Sequence, residues 1–420
     1  MIYGCIGEHL PHSFSKIIHE KIEDYDYALQ ELAPSEVALL LQKREFSGIN
    51  VTIPYKETVI PHLDEIDDAA LAIGAVNTIV NREGKLYGYN TDYAGLKALI
   101  AKAKLSLKGK KVLILGMGGT AKTAYAVCQN SLARDIWHIT RTGKNGSLTY
   151  NEAYTKHQDA EIIINTSPCG MFPSIHSLPA DSENQPFSFD TFPSLEGVID
   201  VVYNPLRTRF VCEAKKRGLV AEGGLYMLVA QAVFAAQHFT GKQYPTELID
   251  EIFHSLVAEK ENIVLIGMPG SGKTTLSKIL AETLDYSLID TDAMIVQRIG
   301  MPIGDYFKEN GEAAFRKLES DVIREIAGLT NAVIATGGGA VLKEDNITAL
   351  KQNGRLYFLD RPLDSLKPTS DRPLALDIEA LRKRYEERYA IYTACADEVI
   401  KDFSSPELTA RDIETRHRNR

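Results

Sequence analysis

The sequence predicts an α/β protein with parallel sheets: an N-terminal α/β domain, followed by two domains that each begin with a strand, a glycine-rich turn and a helix. Short apolar runs of strand length alternate with helical patterns along most of the chain. Two of these strand and helix pairs flank glycine-rich turns, at residues 116–121 and 267–274. Alternating strands and helices are typical of parallel sheets, because parallel strands need a crossover connection.

Length and composition limit the possible classes of protein. The chain has 420 residues, which predicts two or three domains. Its 44% apolar and 25% charged residues are ordinary for a globular protein. A net charge of −9 argues against a nucleic-acid surface, and no apolar run has the length of a membrane span. We therefore expect a cytoplasmic protein with no nucleic-acid or membrane partner, while the sequence leaves the oligomeric state open.

The five cysteines are scattered and show no paired spacing. Reduced thiols are the simplest interpretation, and no zinc site is predicted.

The first domain is predicted to span residues 1–104. We expect strands at Ile2–Ile6, Gly48–Ile53 and Ala75–Asn81, and a helix at His12–Glu23. The second domain, residues 105–222, begins with the strand Lys111–Leu115 and the helix Ala121–Gln129. Its further elements are strands at Ile136–Thr140, Ile162–Asn165 and Val198–Val202, and a proline-rich surface loop at Phe172–Leu195.

Helices at Tyr226–Phe239 and Leu248–Leu256 are predicted to close this part of the chain within residues 223–259. The junction is expected at Lys260–Asn262, and the last domain spans residues 260–402. The basic segment 403–420 is predicted to be a solvated, frayed tail.

The segment Gly267–Thr274 is a complete G-x-x-x-x-G-K-[ST] phosphate loop. The apolar run Ile263–Ile266 precedes it and the helical pattern Leu276–Leu284 follows, which is the context that the motif requires. Glycines let backbone N–H groups face phosphate oxygens at a helix N-terminus. The predicted nucleotide contacts are Gly270, Ser271, Gly272, Lys273, Thr274 and Thr275, with Lys273 at the β/γ-phosphates and Thr274 on Mg²⁺. The alternative is a plain glycine-rich turn.

The segment Gly116–Ala121 fits the dinucleotide pattern G-x-G-x-x-A after a strand and before a helix. The next strand ends in Thr140-Arg141-Thr142-Gly143-Lys144, which has two cations where an NAD site would carry an acid. A 2′-phosphate needs such cations, so the predicted cofactor is NADP(H). The predicted cofactor-binding residues are Gly116, Gly118, Gly119, Thr120, Ala121, Thr140, Arg141, Thr142 and Lys144. The alternative for Arg141 and Lys144 is ordinary solvent exposure.

The first domain carries two unusual polar strings. Gly48–Lys56 places Lys56 just after a buried strand, and Gly88–Asp92 places Asp92 at a turn. A lysine and an aspartate in one cleft can share a proton near a reacting oxygen. Spacing alone does not establish the pair, because lysine is usually a solvated surface residue.

Residues 1–256 resemble shikimate dehydrogenase. The motifs that carry the resemblance occur in the family's order: residues 12–15, 50–56, 74–78, 88–92, 116–121, 140–142, 164–171, 200–205 and 223–231. The chain departs from the family at Lys16, a proline in the family, and at Thr140, usually asparagine; the segment between Ser15 and Gly48 is short.

The resemblance implies a role for each matching residue. Ser13 and Ser15 would hold the substrate carboxylate, and Lys56 and Asp92 would be the catalytic pair. Gly224 would lie against the nicotinamide. The other implied substrate contacts are Thr52, Asn77, Tyr203 and Gln231.

A second group of polar residues follows the phosphate loop. Asp290 and Asp292 end a short strand, where a spacing of two places both carboxylates on one side. One would serve Mg²⁺ while the other meets a nucleophilic hydroxyl; the alternative is an acidic helix N-cap. The triplet Gly337-Gly338-Gly339 after an apolar strand indicates backbone pressed against a ligand, or an ordinary tight turn.

Residues 262–400 resemble shikimate kinase, with matches also at Gly300, Ile303, Phe307, Gly311, Glu312 and Glu319. The resemblance implies that Asp290 and Thr274 serve Mg²⁺ and that Asp292 contacts the substrate hydroxyl. Arg316 and Arg388 would clamp the shikimate carboxylate, with the glycine triplet under the ring. Arg372 would act on the transferring phosphate from a lid at residues 362–373. The lid is short, Lys367 stands where an arginine commonly flanks adenine, and Ala375 replaces a second leucine.

Together the motifs predict one bifunctional enzyme that uses NADP(H), ATP and Mg²⁺. It would reduce 3-dehydroshikimate to shikimate and phosphorylate shikimate to shikimate 3-phosphate. One alternative is a preference for quinate or NAD; another is a regulatory protein that senses shikimate with inactive enzyme folds. The retained Lys56, Asp92, Lys273 and Asp292 argue against the second alternative.

Overall fold

The computed structural model describes residues 2–10, 13–366 and 378–419. The chain divides into two compact units. Unit 1 comprises Met1–Asn204 and Glu213–Ser255, and unit 2 comprises Pro205–Cys212 and Leu256–Arg420. The expected junction at Lys260–Asn262 therefore lies within unit 2. The division between the units comes earlier, at Leu256, inside the helix Glu247–Lys260.

The first sheet of unit 1 is mixed, in the order β2-β1-β3-β5-β6-β4. Its strands are β1 Tyr3–Gly7, β2 Tyr27–Glu31, β3 Gly48–Val51, β4 Glu65–Ile66, β5 Thr78–Arg82 and β6 Lys85–Tyr89. Its helices are α1 Ser15–Ile22, α2 Pro34–Lys43, α3 Asp68–Ile73 and α4 Thr91–Lys102. β3 pairs with β1 in parallel and with β5 antiparallel, so the sheet is not purely parallel as an alternating pattern alone would suggest.

The second sheet of unit 1 is entirely parallel, in the order β12-β11-β10-β7-β8-β9. Its strands are β7 Lys111–Leu115, β8 Asp135–Thr140, β9 Leu148–Thr149, β10 Ile162–Asn165, β11 Gly197–Asp200 and β12 Val220–Glu222. The helices in this part of the chain are α5 Gly119–Asn130, α6 Tyr150–Lys156, α7 Arg209–Lys216, α8 Leu225–Thr240 and α9 Glu247–Lys260. The division between the two units falls within α7 and within α9. Strands β7 and β10 have the predicted bounds, because their uninterrupted apolar runs suit strands buried on both faces.

The segment between β10 and β11 is a loop, as predicted, but four of its large apolar side chains are buried. Ile175, Phe187, Phe189 and Phe192 are at most 5% exposed. The Phe187 and Phe192 rings stack with centroids 5.5 Å apart. The prolines prevent a ladder of hydrogen bonds without preventing hydrophobic packing.

The sheet of unit 2 is parallel, in the order β14-β15-β13-β16-β17. Its strands are β13 Asn262–Ile266, β14 Ser287–Asp290, β15 Ala332–Ala335, β16 Gly354–Leu359 and β17 Glu398–Ile400. Its further helices are α10 Lys273–Leu284, α11 Thr291–Ile299, α12 Ile303–Ile326, α13 Glu344–Asn353, α14 Ile378–Cys395 and α15 Pro406–Arg418. Helix α12 breaks at Gly311, whose φ of 79° interrupts the helical path.

The prediction of a frayed tail is wrong, because residues 406–418 form helix α15. Ser405 caps the helix by accepting a hydrogen bond from the Leu408 N–H. Ala410 and Ile413 belong to the core of unit 2, and the buried Tyr357 hydroxyl lies 3.1 Å from His417 Nδ1. The segment is an amphipathic helix with buried residues on one face and the arginines exposed to solvent, so its basic composition was a misleading indicator of a frayed tail.

We expect Ile413→Ala to destabilise unit 2 by about 2–5 kcal/mol, because the side chain is fully buried and its removal leaves a cavity. Leu408→Ala is the matched control: Leu408 is on the same helix but 57% exposed, and should change stability by less than about 0.5 kcal/mol. Urea denaturation followed by circular dichroism measures both. Equal losses in the two variants would contradict the placement of α15 in the core.

Candidate functional sites

Lys56 and Asp92 meet in unit 1, at a distance of 2.6 Å between Nζ and Oδ2. The side chains are 14% and 9% exposed, so the pair is mostly shielded from water. Lys56 follows β3 in a loop that the Tyr55 hydroxyl fixes by donating to Leu32 O over 2.5 Å. Asp92 lies in the first turn of α4, where the helix dipole favours a carboxylate. The pairing that spacing left open is therefore present in the structure.

The pair lines a cavity of about 180 Å³. Most of the predicted substrate residues line it as well: Ser15, Thr52, Asn77, Tyr203 and Gln231. Ser13 lies outside this lining, and its hydroxyl donates to Ser15 Oγ over 3.1 Å. Burial raises the pKa of Tyr203 to about 12, so its hydroxyl is a neutral donor or acceptor near pH 7.

A buried hydrogen-bond network fixes the amides at the base of the cavity. Asn77 accepts from the Thr91 N–H over 2.7 Å and donates to Thr91 Oγ1 over 3.0 Å. Asn50 donates to Thr78 Oγ1 over 3.1 Å and accepts from the Tyr27 hydroxyl over 2.6 Å. Sequence reasoning assigned no role to Thr91 or Tyr27; the adjacency of Thr91 to Asp92 was the available signal.

Cys5 also lines this cavity and was not predicted to do so. Burial raises the pKa of its thiol to about 12, so Cys5 contributes an apolar wall rather than a nucleophile.

The glycine loop of unit 1 reaches the same cavity. Gly118 is the N-cap of α5, Thr120 lines the cavity, and a Cβ on Gly119 would lie 3.7 Å from Lys56 Cβ. Gly116 has a φ of 120°, which favours glycine. Ala121 differs from the other predicted contacts because its side chain is in the hydrophobic core, where it allows the helix to pack on the sheet.

Gly224, at the N-terminus of α8, is also part of this lining. A Cβ there would lie 2.0 Å from Val201 O, so no other residue fits without a backbone shift.

The cations predicted to select NADP(H) are exposed after β8. Arg141 donates from Nε to Asp181 O over 3.2 Å and from Nη2 to Asn184 Oδ1 over 2.9 Å. Thr142 and Lys144 are exposed as well. Thr140 Oγ1 instead accepts from the Gly143 N–H over 3.1 Å, which fixes the turn after β8.

In unit 2 the phosphate loop connects β13 to α10. Gly267, Gly270 and Gly272 have φ values of 143°, 81° and 100°, which explains the glycines of the motif. Lys273 is 5% exposed and donates to Gly267 O and Met268 O, each over 2.9 Å. Ser271 is buried, whereas Thr274 and Thr275 are exposed at the start of α10.

Asp290 is the last residue of β14 and the N-cap of α11. Its Oδ1 accepts from the Asp292 and Ala293 N–H groups over 3.0 and 3.2 Å, and its Oδ2 accepts from Thr274 Oγ1 over 3.3 Å. Asp292 is helical, so the prediction that both carboxylates share one side of a strand is wrong. The N-cap alternative describes Asp290, but the same carboxylate also lies against Thr274.

The glycine triplet is the centre of the second site. A Cβ on Gly337 would lie 2.6 Å from Asp292 Oδ1 and 3.0 Å from Glu319 Oε1, so both carboxylates approach the backbone there. A Cβ on Gly338 would lie 2.8 Å from the Pro269 ring, and one on Gly339 would lie 2.1 Å from Arg316 Nη1. A side chain at Gly338 would clash with the rigid Pro269 ring, whereas one at Gly337 or Gly339 would displace the ends of the Asp292, Glu319 or Arg316 side chains.

Two arginines converge on this triplet. Arg316 donates from Nη1 to Glu319 Oε2 over 2.9 Å and also pairs with Glu312. Arg388, 8% exposed, donates from Nη1 to Gly338 O over 2.9 Å. Burial raises the pKa of Glu319 despite the lowering effect of Arg316, and Asp292 raises it further. Sequence reasoning missed Glu319 as a site residue, although its spacing of three from Arg316 on a helix was a signal.

The predicted lid residues Lys367 and Arg372 lie outside the described residues. The structure therefore does not test their expected contacts with adenine and the transferring phosphate.

Among the described helices, none is long and apolar enough to cross a membrane. No group of three or more His, Cys, Asp or Glu residues suited to a metal ion occurs in residues 2–10, 13–366 and 378–419. A Mg²⁺ site built from Thr274, Asp290 and nucleotide oxygens would not form such a group, because Mg²⁺ uses few protein ligands.

The folds and sites define a protein in which one unit carries a glycine loop between β7 and α5 and the other carries a phosphate loop between β13 and α10. Family models match the shikimate dehydrogenase substrate-binding domain at residues 5–79 and shikimate kinase at residues 269–416. The chain is 36% identical over 272 residues to the shikimate dehydrogenase (NADP(+)) of Clostridium perfringens, covering 61% of this chain and 98% of that protein. The chain therefore belongs to the shikimate dehydrogenase family and also carries a shikimate kinase domain.

Solved structures agree with this assignment. A shikimate dehydrogenase from Peptoclostridium difficile matches with a TM-score of 0.55 and 32% identity, covering 61% of this chain and 97% of that one. A chorismate mutase/shikimate 5-dehydrogenase fusion from Clostridium acetobutylicum matches with a TM-score of 0.55 and 32% identity, at 61% and 96% coverage. The enzyme from Thermus thermophilus in complex with NADP(H) and shikimate matches with a TM-score of 0.51 and 27% identity, at 61% and 99% coverage.

Proposed function

We propose that this chain catalyses two consecutive reactions of the shikimate pathway. Unit 1 reduces 3-dehydroshikimate to shikimate with NADPH, and unit 2 transfers the γ-phosphoryl group of ATP to shikimate to give shikimate 3-phosphate. The observation that carries the proposal is that unit 1 brings Lys56 and Asp92 together in a cavity that the glycine loop also lines, while in unit 2 Asp292, Arg316 and Arg388 approach one glycine triplet. The product of the first reaction is the substrate of the second, which explains why one chain would contain both.

In unit 1 the reduction requires a proton donor beside the ketone oxygen. The glycine loop would hold NADPH, which would supply the hydride. Lys56 donates the proton and stabilises the developing alkoxide, while Asp92 orients the ammonium group through their 2.6 Å contact. Ser13 and Ser15 bind the carboxylate of the substrate, and the Asn77 and Gln231 amides bind its hydroxyl groups.

In unit 2 the reaction requires positioned phosphates and a positioned hydroxyl. The backbone N–H groups of Gly270–Thr275 and the Lys273 ammonium bind the phosphates. Asp292 contacts the nucleophilic hydroxyl of shikimate and accepts its proton. Arg316 and Arg388 bind the carboxylate, because a guanidinium group forms two parallel hydrogen bonds with it. Arg372 would stabilise the transferring phosphate.

The donors present suit Mg²⁺. Thr274 Oγ1 and Asp290 Oδ2 lie 3.3 Å apart at the carboxyl edge of the sheet, and Mg²⁺ prefers such oxygen ligands. These two residues would hold the ion, which neutralises charge on the nucleotide phosphates when it is bound.

A coupled assay tests both activities on the purified full chain. With 3-dehydroshikimate, NADPH, ATP and Mg²⁺, we expect NADPH oxidation accompanied by ADP formation. Omitting 3-dehydroshikimate should prevent both, whereas supplying shikimate should restore ADP formation alone. Quinate or NADH at higher kcat/KM would favour the alternative substrate or cofactor. Shikimate binding with no turnover in either reaction would favour the regulatory alternative.

We also propose that the enzyme is cytoplasmic and has no nucleic-acid or membrane partner. The net charge of −9 and the free cysteines support this proposal. The small-molecule partners would be 3-dehydroshikimate and shikimate.

We expect Arg141→Ala to raise the KM for NADPH at least about tenfold and to change the KM for NADH much less, because a 2′-phosphate would lose a charge-assisted hydrogen bond. Initial rates with both cofactors measure the ratio. Arg134→Ala is the control, since Arg134 is an exposed arginine that directly precedes β8, at the opposite end of that strand from Arg141, and pairs with Asp135. If KM rose equally for NADPH and NADH, Arg141 would not select the 2′-phosphate.

A further inference from the structure

Arg361 lies beside the phosphate loop, two residues after β16 ends. β16 pairs in parallel with β13, with Phe358 opposite Ile266, so the segments that follow these strands share one edge of the sheet. The side chain of Arg361 extends toward the end of the loop. A Cβ on Gly272 would lie 4.0 Å from Arg361 Nη2.

The guanidinium group is held by an aromatic ring rather than by an acid. Its Cζ lies 4.6 Å from the centre of the Phe403 ring, a distance typical of cation–π contact. Its Nε is buried and has no hydrogen-bond partner among the residues that the structure describes. The neighbouring Asp360 accepts instead from the Tyr385 and Tyr389 hydroxyls, each over 3.2 Å.

This arrangement places two cations, Lys273 and Arg361, at the phosphate loop without a carboxylate paired to Arg361 among the described residues. Like charges near one another raise the free energy of a site unless an anion binds between or beside them. The backbone N–H groups of a phosphate loop face the α/β-phosphates of a nucleotide. A guanidinium group this close to Gly272 is therefore positioned to donate hydrogen bonds to the same phosphates.

We propose that Arg361 binds the α/β-phosphates of the nucleotide, with Phe403 fixing the plane of its guanidinium group. This proposal rests on the proposed kinase function. It adds a cation outside the G-x-x-x-x-G-K-[ST] motif, on the segment that follows β16. The ligand class is a nucleoside diphosphate or triphosphate, whereas a nucleoside without phosphates gains nothing from Arg361.

Calorimetric titration of the full chain with ADP and with adenosine, both in Mg²⁺, tests the proposal. Arg361→Met removes the charge and keeps an unbranched side chain over Phe403. We expect it to raise the Kd for ADP at least about tenfold, which is typical of a lost charge-assisted hydrogen bond, and to leave the Kd for adenosine unchanged. Arg361→Lys should fall between the wild type and the methionine variant.

Lys401→Met is the matched control. Lys401 is 71% exposed and lies 4.0 Å from Asp360, so its loss changes the net charge near the loop equally. We expect no change in the Kd for ADP. An equal rise in both variants would indicate general electrostatics and overturn the proposal.

Three further results separate the possible failures. An unchanged Kd for ADP in Arg361→Met, with a lowered unfolding midpoint without nucleotide, would assign Arg361 a structural role and overturn the proposal. An equal loss for adenosine and ADP would place Arg361 at the base and overturn the phosphate assignment. If the wild type bound ADP with no phosphoryl transfer to shikimate, the proposed kinase function would fail while the role of Arg361 in binding phosphates would stand.

Discussion

Lys56→Ala should lower kcat for the reduction of 3-dehydroshikimate by about 10²–10⁴-fold, the range that a positioned acid contributes. The Lys56 ammonium lies 2.6 Å from Asp92 and lines the cavity that Thr120 of the glycine loop also lines. Alanine removes both the proton donor and the cation beside the developing alkoxide. NADPH oxidation measures the loss, and ADP formation from added shikimate in the same sample should be unchanged.

Lys97→Ala is the control for this variant. Lys97 is an exposed lysine on α4, the helix that carries Asp92, so its removal changes charge without touching the pair. Reduction at more than a tenth of the wild-type rate in Lys56→Ala would contradict the assigned role. Loss of both activities in a protein with a native circular dichroism spectrum would contradict the independence of the two sites.

Local signals in the sequence were sufficient to predict the phosphate loop and the buried strands beside the two sites. The phosphate loop was predictable because glycines at residues 267, 270 and 272, followed by Lys273, meet a requirement that only this backbone path imposes. Strands β7 and β10 were predictable because both faces are buried and their apolar runs, Val112–Leu115 and Ile162–Ile164, are uninterrupted. Such features depend on a few neighbouring residues and not on the rest of the fold.

Features that depend on distant packing were not predictable in this way. Asp292 looked like a strand residue, but the Asp290 side chain caps a helix that begins at Thr291. The glycine triplet predicted contact with a ligand, which stays a prediction, but it gave no sign that Arg316 of α12 also lies against Gly339. Helix α15 looked like a solvated tail, because its buried Ile413 becomes meaningful only against the core of unit 2.

The cavity of unit 1 shows the same division. Lys56 and Asp92 are 36 residues apart, and their pairing required a resemblance to a known family rather than spacing. Thr91 and Cys5 carry no motif of their own, yet tertiary packing places Thr91 against Asn77 and Cys5 in the cavity wall. Sequence patterns therefore identify the groups that chemistry requires more readily than the groups that hold them in place.

Lys273→Ala should have the converse effect to Lys56→Ala: phosphorylation of shikimate should fall by at least about 10²-fold while NADPH oxidation stays at the wild-type rate. Lys273 is 5% exposed and its ammonium is within 2.9 Å of the Gly267 and Met268 carbonyl oxygens, so it stabilises the shape of the loop. In the proposed function the same ammonium group also binds the phosphates. Removing it takes away a positive charge at the position where negative charge develops during phosphoryl transfer.

Lys278→Ala on the same helix separates this effect from a general change in charge, because Lys278 is exposed and follows the loop by more than one turn. We expect normal ADP formation in that variant. ADP titration of Lys273→Ala then distinguishes two causes of its inactivity. Weakened ADP binding would show that the lysine stabilises the bound nucleotide, and unchanged ADP binding would show that it stabilises only the transition state. Rates of ADP formation within threefold of the wild type would refute the assignment of the loop as the phosphoryl-transfer site, since no other cation of the motif can replace Lys273 there.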